Sequence, residues 1–117
     1  MARDSLRAMM KEVLKFRDER EWKQFHSFKD LAVTLALEAA EVLEHSQWKS
    51  EKELRSYLKK RREFVGDELA DVLHVLLLLA EHADIDLAKA FEGKMKKNRK
   101  KYPVEKARGS AKKYTEL

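Results

Sequence analysis

The chain has 117 residues, 40% of them charged and 44% hydrophobic, with three glycines, one proline and no cysteine. That length fits one domain, the shortage of turn-formers disfavours sandwiches and barrels, and the missing cysteines exclude disulfide scaffolds, thiol nucleophiles, zinc ribbons and iron–sulfur sites. The net charge of +5 is unevenly spread: residues 94–117 hold ten Lys/Arg against two Asp/Glu, a net of +8, so the remainder is an acidic body of net −3 and the tail suits an anionic partner.

Apolar residues recur at helical spacing along most of the chain. A first helix is predicted over 4–20, with Leu6, Met9, Met10, Val13, Leu14 and Phe16 as its apolar stripe. A polar and aromatic stretch, Glu21 to His26, ends it. Ser27 with Asp30 three residues on reads as a capping box for a second helix, which runs to His45 through Leu31, Leu35, Val42 and Leu43. Ser50 with Glu53 opens a third. The charged run Lys59 to Glu63 marks a bend or a solvated face. The most apolar helix follows over 63–83, with Phe64, Leu69, Val72, Leu73, Val75, Leu76 and Leu79. Asp86 caps a last helix over 87–101, which Pro103 stops by pushing its predecessor out of the α region. The expectation is one all-α domain over 1–117, a bundle of four or five helices, with 102–117 as a basic tail that is flexible or ordered on contact.

The longest apolar stretch, Leu69 to Ala80, has 12 residues and includes Asp71 and His74, too short and too polar for a bilayer. The N-terminal residues lack the apolar core of a signal peptide. No membrane partner and a cytoplasmic location are therefore expected.

Carboxylates stand where a core should be. Glu38 and Glu41 lie three apart with alanines between them; Glu68 and Asp71 lie three apart in the most apolar helix. Residues at that spacing are about 60° apart around a helix and about 4.5 Å along it, so each pair projects from one face. Neither pair has a Lys or Arg four residues away. Buried, unpaired carboxylates are costly unless a cation compensates them. Two such pairs on facing helices offer Glu38, Glu41, Glu68 and Asp71 as hard oxygen ligands, which suit Mg²⁺, with Mn²⁺ as the alternative.

These residues resemble the all-α nucleoside triphosphate pyrophosphatases of the MazG-like superfamily, whose signature is E-x-x-E on one helix followed by E-x-x-D on the next. The resemblance is nearest to the dCTP pyrophosphatase branch, through FRDEREWKQFH (16–26), QWKS (47–50) and the segment 94–117. It covers nearly the whole chain. The link between the second and third helices is short for the family, and alanine follows Glu38 where some members carry glutamate. The resemblance implies a bundle completed by oligomerisation, a homo-dimer or homo-tetramer, and a Mg²⁺-dependent hydrolase. It would cleave a (deoxy)nucleoside triphosphate, dCTP or a modified dCTP, to the monophosphate and pyrophosphate, in nucleotide-pool sanitation. It also places Trp22, Phe25, His26 and Trp48 around the nucleobase.

The chemistry of the residues is compatible with that implication. A triphosphate would be repelled by four carboxylates alone, and a bound metal inverts that field. Glu41 or Glu44 would accept the proton of an attacking water. Lys94, Asn98, Arg99 and Tyr102 fall near one helical face, and Lys113 and Tyr114 follow in the tail, so these six are candidate phosphate-binding groups; Lys96, Lys97, Lys100 and Lys101 read as solvated. His74 reads as a core histidine. A di-iron bundle would need Glu-x-x-His on each of two helices, and only Asp71 with His74 comes near that pattern. The non-enzymatic alternative, a basic-tailed nucleic-acid-binding or scaffold protein, leaves the inward carboxylates unexplained.

Overall fold

The computed structural model describes residues 4–117. Among them six helices form and no strand: α1 (Asp4–Glu19), α2 (Phe28–Glu44), α3 (Glu51–Lys60), α4 (Arg62–His82), α5 (Leu87–Lys101) and the short α6 (Val104–Ala107), with 3₁₀ turns at Lys23–Phe25 and Tyr114–Glu116. The backbone divides into two compact units, one ending at Asp84 and the other running from Ile85 to Leu117. None of the described helices is long and apolar enough to cross a membrane.

Local signals set the helix ends. Ser27 Oγ accepts from the Asp30 amide, which is half of the expected capping box. The Ser50–Glu53 box is complete: Ser50 Oγ accepts from the Glu53 amide at 3.2 Å, and Glu53 Oε1 accepts from the Ser50 amide at 3.0 Å. Asp86 caps α5 through the Lys89 amide. Each such cap is worth about 1 kcal/mol. The bend at Lys59 to Glu63 is a single residue, Arg61, between α3 and α4.

In the first unit α4 is the central element. It packs chiefly against α2, and α1 and α3 lean on it more lightly. Its middle supplies the core, with Val75, Leu77, Leu78 and Ala80 buried beside Leu31 of α2. Leu77 is 1% exposed. Leu76 and Leu79 of the same apolar stretch are half-buried, so its remaining side is only partly covered.

Several expected stripe residues are exposed. In α1 the structure exposes Phe16 and buries Arg17, which is 6% exposed. The guanidinium donates from Nε to Asp18 Oδ1 at 2.8 Å and from Nη1 to Glu81 Oε2 at 3.2 Å, tying α1 to α4. Two carboxylate partners satisfy the buried charge. Phe16 is covered instead by Arg20, whose guanidinium carbon lies 3.7 Å from the ring centroid. Leu43, Phe64 and Leu69 are also exposed, Leu43 at 71%. Helical spacing identifies an apolar side but does not say whether this chain alone covers it.

The second unit is a helix with an ordered tail. Pro103 leads into α6, and Gly109 takes the left-handed φ of 73° beyond it. Tyr102 and Tyr114 meet edge to face at 5.9 Å, and Lys101 Nζ sits 4.6 Å from the Tyr114 ring centroid. Lys101 is exposed, with its ammonium over an aromatic face.

Candidate metal centre

Glu38 and Glu41 stand one turn apart on α2, and Glu68 stands on α4, the helix that α2 packs against most extensively. Each offers a carboxylate oxygen, and the three oxygens lie within 4.8 Å of one another. Glu68 is only 15% exposed at its side chain. Glu38 Oε2 is buried and has no hydrogen-bond partner. Burial pushes the Glu38 carboxyl above its ordinary value; a hydrogen bond shared with Glu41, and the charges of Glu41, Asp71 and Glu68, push it further. Burial is also the largest influence raising Glu68, followed by a hydrogen bond with Glu41 and the charges of Glu41 and Asp71; His45 opposes them. Three crowded carboxylates with an orphaned buried oxygen form a set of hard oxygen donors, which fits a divalent metal. Asp71 lies outside the three-oxygen group, but its charge reaches both Glu38 and Glu68. Glu44, three residues beyond Glu41, is exposed and also outside the group.

The raised carboxyls give a pH signature. Glu38 and Glu68 bind protons more tightly in the folded chain than at the ordinary glutamate value of 4.5. Their contribution is therefore most favourable below that value and is lost as pH rises through their raised folded values. His26 works in the opposite sense over part of this window, because burial, with smaller contributions from Arg17, His74 and His82, lowers its pKa. A difference measurement isolates the cluster. In metal-free urea titrations, Glu38→Gln/Glu68→Gln is expected to be more stable than wild type at neutral pH. The gap should narrow as pH falls towards 4.5. A gap that is constant or widens on acidification would contradict mutual repulsion in the cluster.

The expected base-binding residues are not all in one place. Trp22 meets Phe16 edge-on at 5.7 Å, and Phe16 meets His74 at the same distance. His26 is half-buried, with Nδ1 buried and lacking a partner, and it feels the charge of His74. Trp22, His26 and His74 therefore share a neighbourhood. Phe25 is exposed. Trp48 is 91% exposed and has a left-handed φ of 63°, a conformation that costs a bulky side chain about 1–2 kcal/mol. The expected phosphate-binding residues all belong to the second unit, where Lys94, Arg99 and Lys113 are exposed, Asn98 is half-buried, and Tyr102 and Tyr114 are packed on each other.

Two residues at the centre had not been anticipated. His45, 9% exposed, caps the C-terminal end of α2. Its Nδ1 is hydrogen-bonded to the Tyr57 hydroxyl at 2.5 Å, and its Nε2 lies 3.8 Å from Glu68 Oε1. The signal for His45 was present, since positions 38, 41 and 45 form one helical stripe. Tyr57 lies on α3, and no spacing rule reaches it.

A family model described as MazG-like matches residues 33–117. Among curated proteins, dCTP pyrophosphatase 1 of Rattus norvegicus is 43% identical over 104 residues, which cover 87% of this chain and 61% of the relative. The human dCTP pyrophosphatase 1 is 40% identical over the same proportions. This chain thus spans about three-fifths of the length of the curated relatives it matches. A solved structure, that of a pyrophosphatase from Archaeoglobus fulgidus, superimposes with a TM-score of 0.79 at 40% identity, covering 85% of this chain and 93% of that one. With the carboxylate cluster on its two central helices and a family match across most of its length, the chain belongs to the MazG-like family.

Proposed function

We propose that this chain hydrolyses a (deoxy)nucleoside triphosphate, dCTP or a modified dCTP, to the monophosphate and pyrophosphate, with Mg²⁺ as cofactor and Mn²⁺ as a substitute. The observation that carries this is the group of Glu38, Glu41 and Glu68 with its unpartnered buried oxygen. The substrate is inferred from the relatives named dCTP pyrophosphatase 1. Nucleotide-pool sanitation in the cytoplasm is the role such a reaction suits.

Mg²⁺, when bound, would orient the phosphates and lower the pKa of a coordinated water. Glu38, Glu41 and Glu68 would hold it, with Asp71 completing the set. Glu44 is left free to take a proton on its own carboxylate as the oxygen of water bonds to the α-phosphorus and the bond from that phosphorus to the bridging oxygen breaks. The charge that develops on the departing pyrophosphate calls for cations and hydroxyl donors, and Lys94, Asn98, Arg99, Tyr102, Lys113 and Tyr114 offer both. Trp22, Phe25, His26 and Trp48 are proposed to bind the base, the rings by stacking and His26 by a polar edge contact. The chain 1–117 is proposed to act as one domain, the family match over 33–117 including residues of both units. A homo-oligomer, dimer or tetramer, is also proposed, because Leu37, Leu43 and Leu69 leave apolar surface exposed next to the carboxylate helices.

The test is a panel of ordinary and base-modified nucleoside triphosphates with Mg²⁺, read by pyrophosphate release. Turnover highest on dCTP or a modified dCTP is expected, and it should disappear with a chelator. No pyrophosphate from any member, together with salt-sensitive DNA binding, would replace this reading with the nucleic-acid one.

A further inference from the structure

His45 belongs to none of the groups assigned above, yet it is a polar side chain that is nine-tenths buried and directed at one of them. Its ring is held by two aromatic neighbours. The Tyr57 hydroxyl lies 2.5 Å from Nδ1, the Tyr57 ring packs at 5.6 Å, and the Phe64 ring meets it edge-on at 5.2 Å. Phe64 precedes Glu68 by one turn of α4, so the aromatic contact and the carboxylate come from the same helical face. Lys49 Nζ lies 4.3 Å from the Tyr57 ring centroid. What remains is Nε2, buried, without a hydrogen-bond partner, and 3.8 Å from Glu68 Oε1.

The two ring nitrogens of a neutral imidazole have complementary roles, and the bond made by one sets the role of the other. A Tyr57 hydroxyl that donates to Nδ1 makes Nδ1 the acceptor and places the proton on Nε2. Nε2–H then faces Glu68 Oε1 across 3.8 Å, a gap that a turn of that carboxylate about its soft terminal torsion would have to close. A carboxylate that accepts one bond from a buried donor has its other oxygen free for an ion shared with Glu38 and Glu41. The histidine needs no charge to do this.

We infer that His45 is a positioning residue: held by Tyr57, it donates from Nε2 to Glu68 and fixes the orientation in which that carboxylate meets a divalent cation. This rests on the metal-dependent reading above, but it concerns the binding of the ion and can be tested without turnover. Outer partners of metal ligands typically contribute about 10- to 100-fold in affinity.

The experiment is titration of the full chain with Mn²⁺ alone, followed by calorimetry and by loss of the free-ion electron paramagnetic resonance signal, in wild type, His45→Leu, His45→Gln and Tyr57→Phe. His45→Leu keeps the volume and removes the donor, and should weaken Mn²⁺ binding roughly 10-fold. His45→Gln places an amide N–H near the position of Nε2 and should recover most of that loss, which a purely packing role would not allow. Tyr57→Phe removes only the hydroxyl that sets the tautomer and should cost about 3-fold, less than the loss for a complete outer partner; it also keeps the test alive if His45→Leu does not fold. Wild-type affinity in both His45→Leu and Tyr57→Phe, or His45→Gln no better than His45→Leu, overturns the inference while leaving the hydrolase reading intact. A wild-type protein that binds Mn²⁺ but releases no pyrophosphate overturns the hydrolase reading and leaves the positioning comparison standing. No binding of Mn²⁺ by wild type overturns both.

Discussion

Glu41→Gln is expected to reduce pyrophosphate release by roughly 10³-fold or more while the helices persist, because it removes a proposed metal ligand and leaves the fold its shape. Of the three clustered carboxylates, Glu41 is the one whose charge raises both of the others. The amide is isosteric and uncharged, so Glu38 and Glu68 lose their largest electrostatic repulsion. The metal-free variant should therefore melt no lower than wild type, and its midpoint should stop rising with added Mg²⁺, since a ligand stabilises only the state that binds it. Circular dichroism melts with and without Mg²⁺, alongside the activity assay, check all three points. Activity within a few-fold of wild type would remove Glu41 from the site. Asp71→Asn is the companion measurement. Its side chain lies outside the three-oxygen group, so a comparable loss of Mg²⁺-induced stabilisation would bring it into the ligand set.

Leu77→Ala should produce the largest loss of stability. This side chain is 1% exposed in the middle of α4, and truncating a buried leucine costs about 3 kcal/mol through lost transfer energy and the cavity left behind. In a chain of this size that corresponds to a fall in Tm of roughly 10–15 °C. Leu43→Ala is the control. At 71% exposed within this chain, Leu43 should contribute less than about 0.5 kcal/mol unless another copy covers it. If the protein oligomerises over this surface, the Leu43→Ala effect will exceed that and depend on protein concentration, whereas Leu77→Ala will cost about as much at every concentration. Thermal melts over a hundred-fold range of concentration separate the two cases.

The extent to which this molecule could be read from its sequence follows the range of each interaction. Helix ends are local: Ser27, Ser50 and Asp86 cap through amides three residues away, and Pro103 acts on its neighbour. Those were all legible. The pairing of Glu38 and Glu41 is also local, and its meeting with Glu68 follows from α2 packing on α4. Burial of Arg17 was not legible, because its second carboxylate partner, Glu81, lies 64 positions along the chain. Nor was the Tyr57–His45 bond, which joins α3 to the end of α2. The apolar stripes were visible, but whether Leu43 and Leu69 face an interior or solvent depends on neighbours that periodicity does not specify. The tail was expected to be flexible or ordered on contact, yet it closes on itself through the Tyr102–Tyr114 edge contact.

The left-handed backbone at Trp48 sets two selective pressures against each other at one position. Glycine or asparagine is the residue such a φ favours, while the stacking on a base proposed for Trp48 favours the broadest aromatic ring available. A stability screen blind to activity would therefore enrich glycine or asparagine at position 48, and a screen on turnover would restore tryptophan. On the proposed role of Trp48, part of the trade-off between robustness and catalysis, usually spread over many sites, falls on this one residue, and an evolved thermostable variant would be expected to lose substrate here.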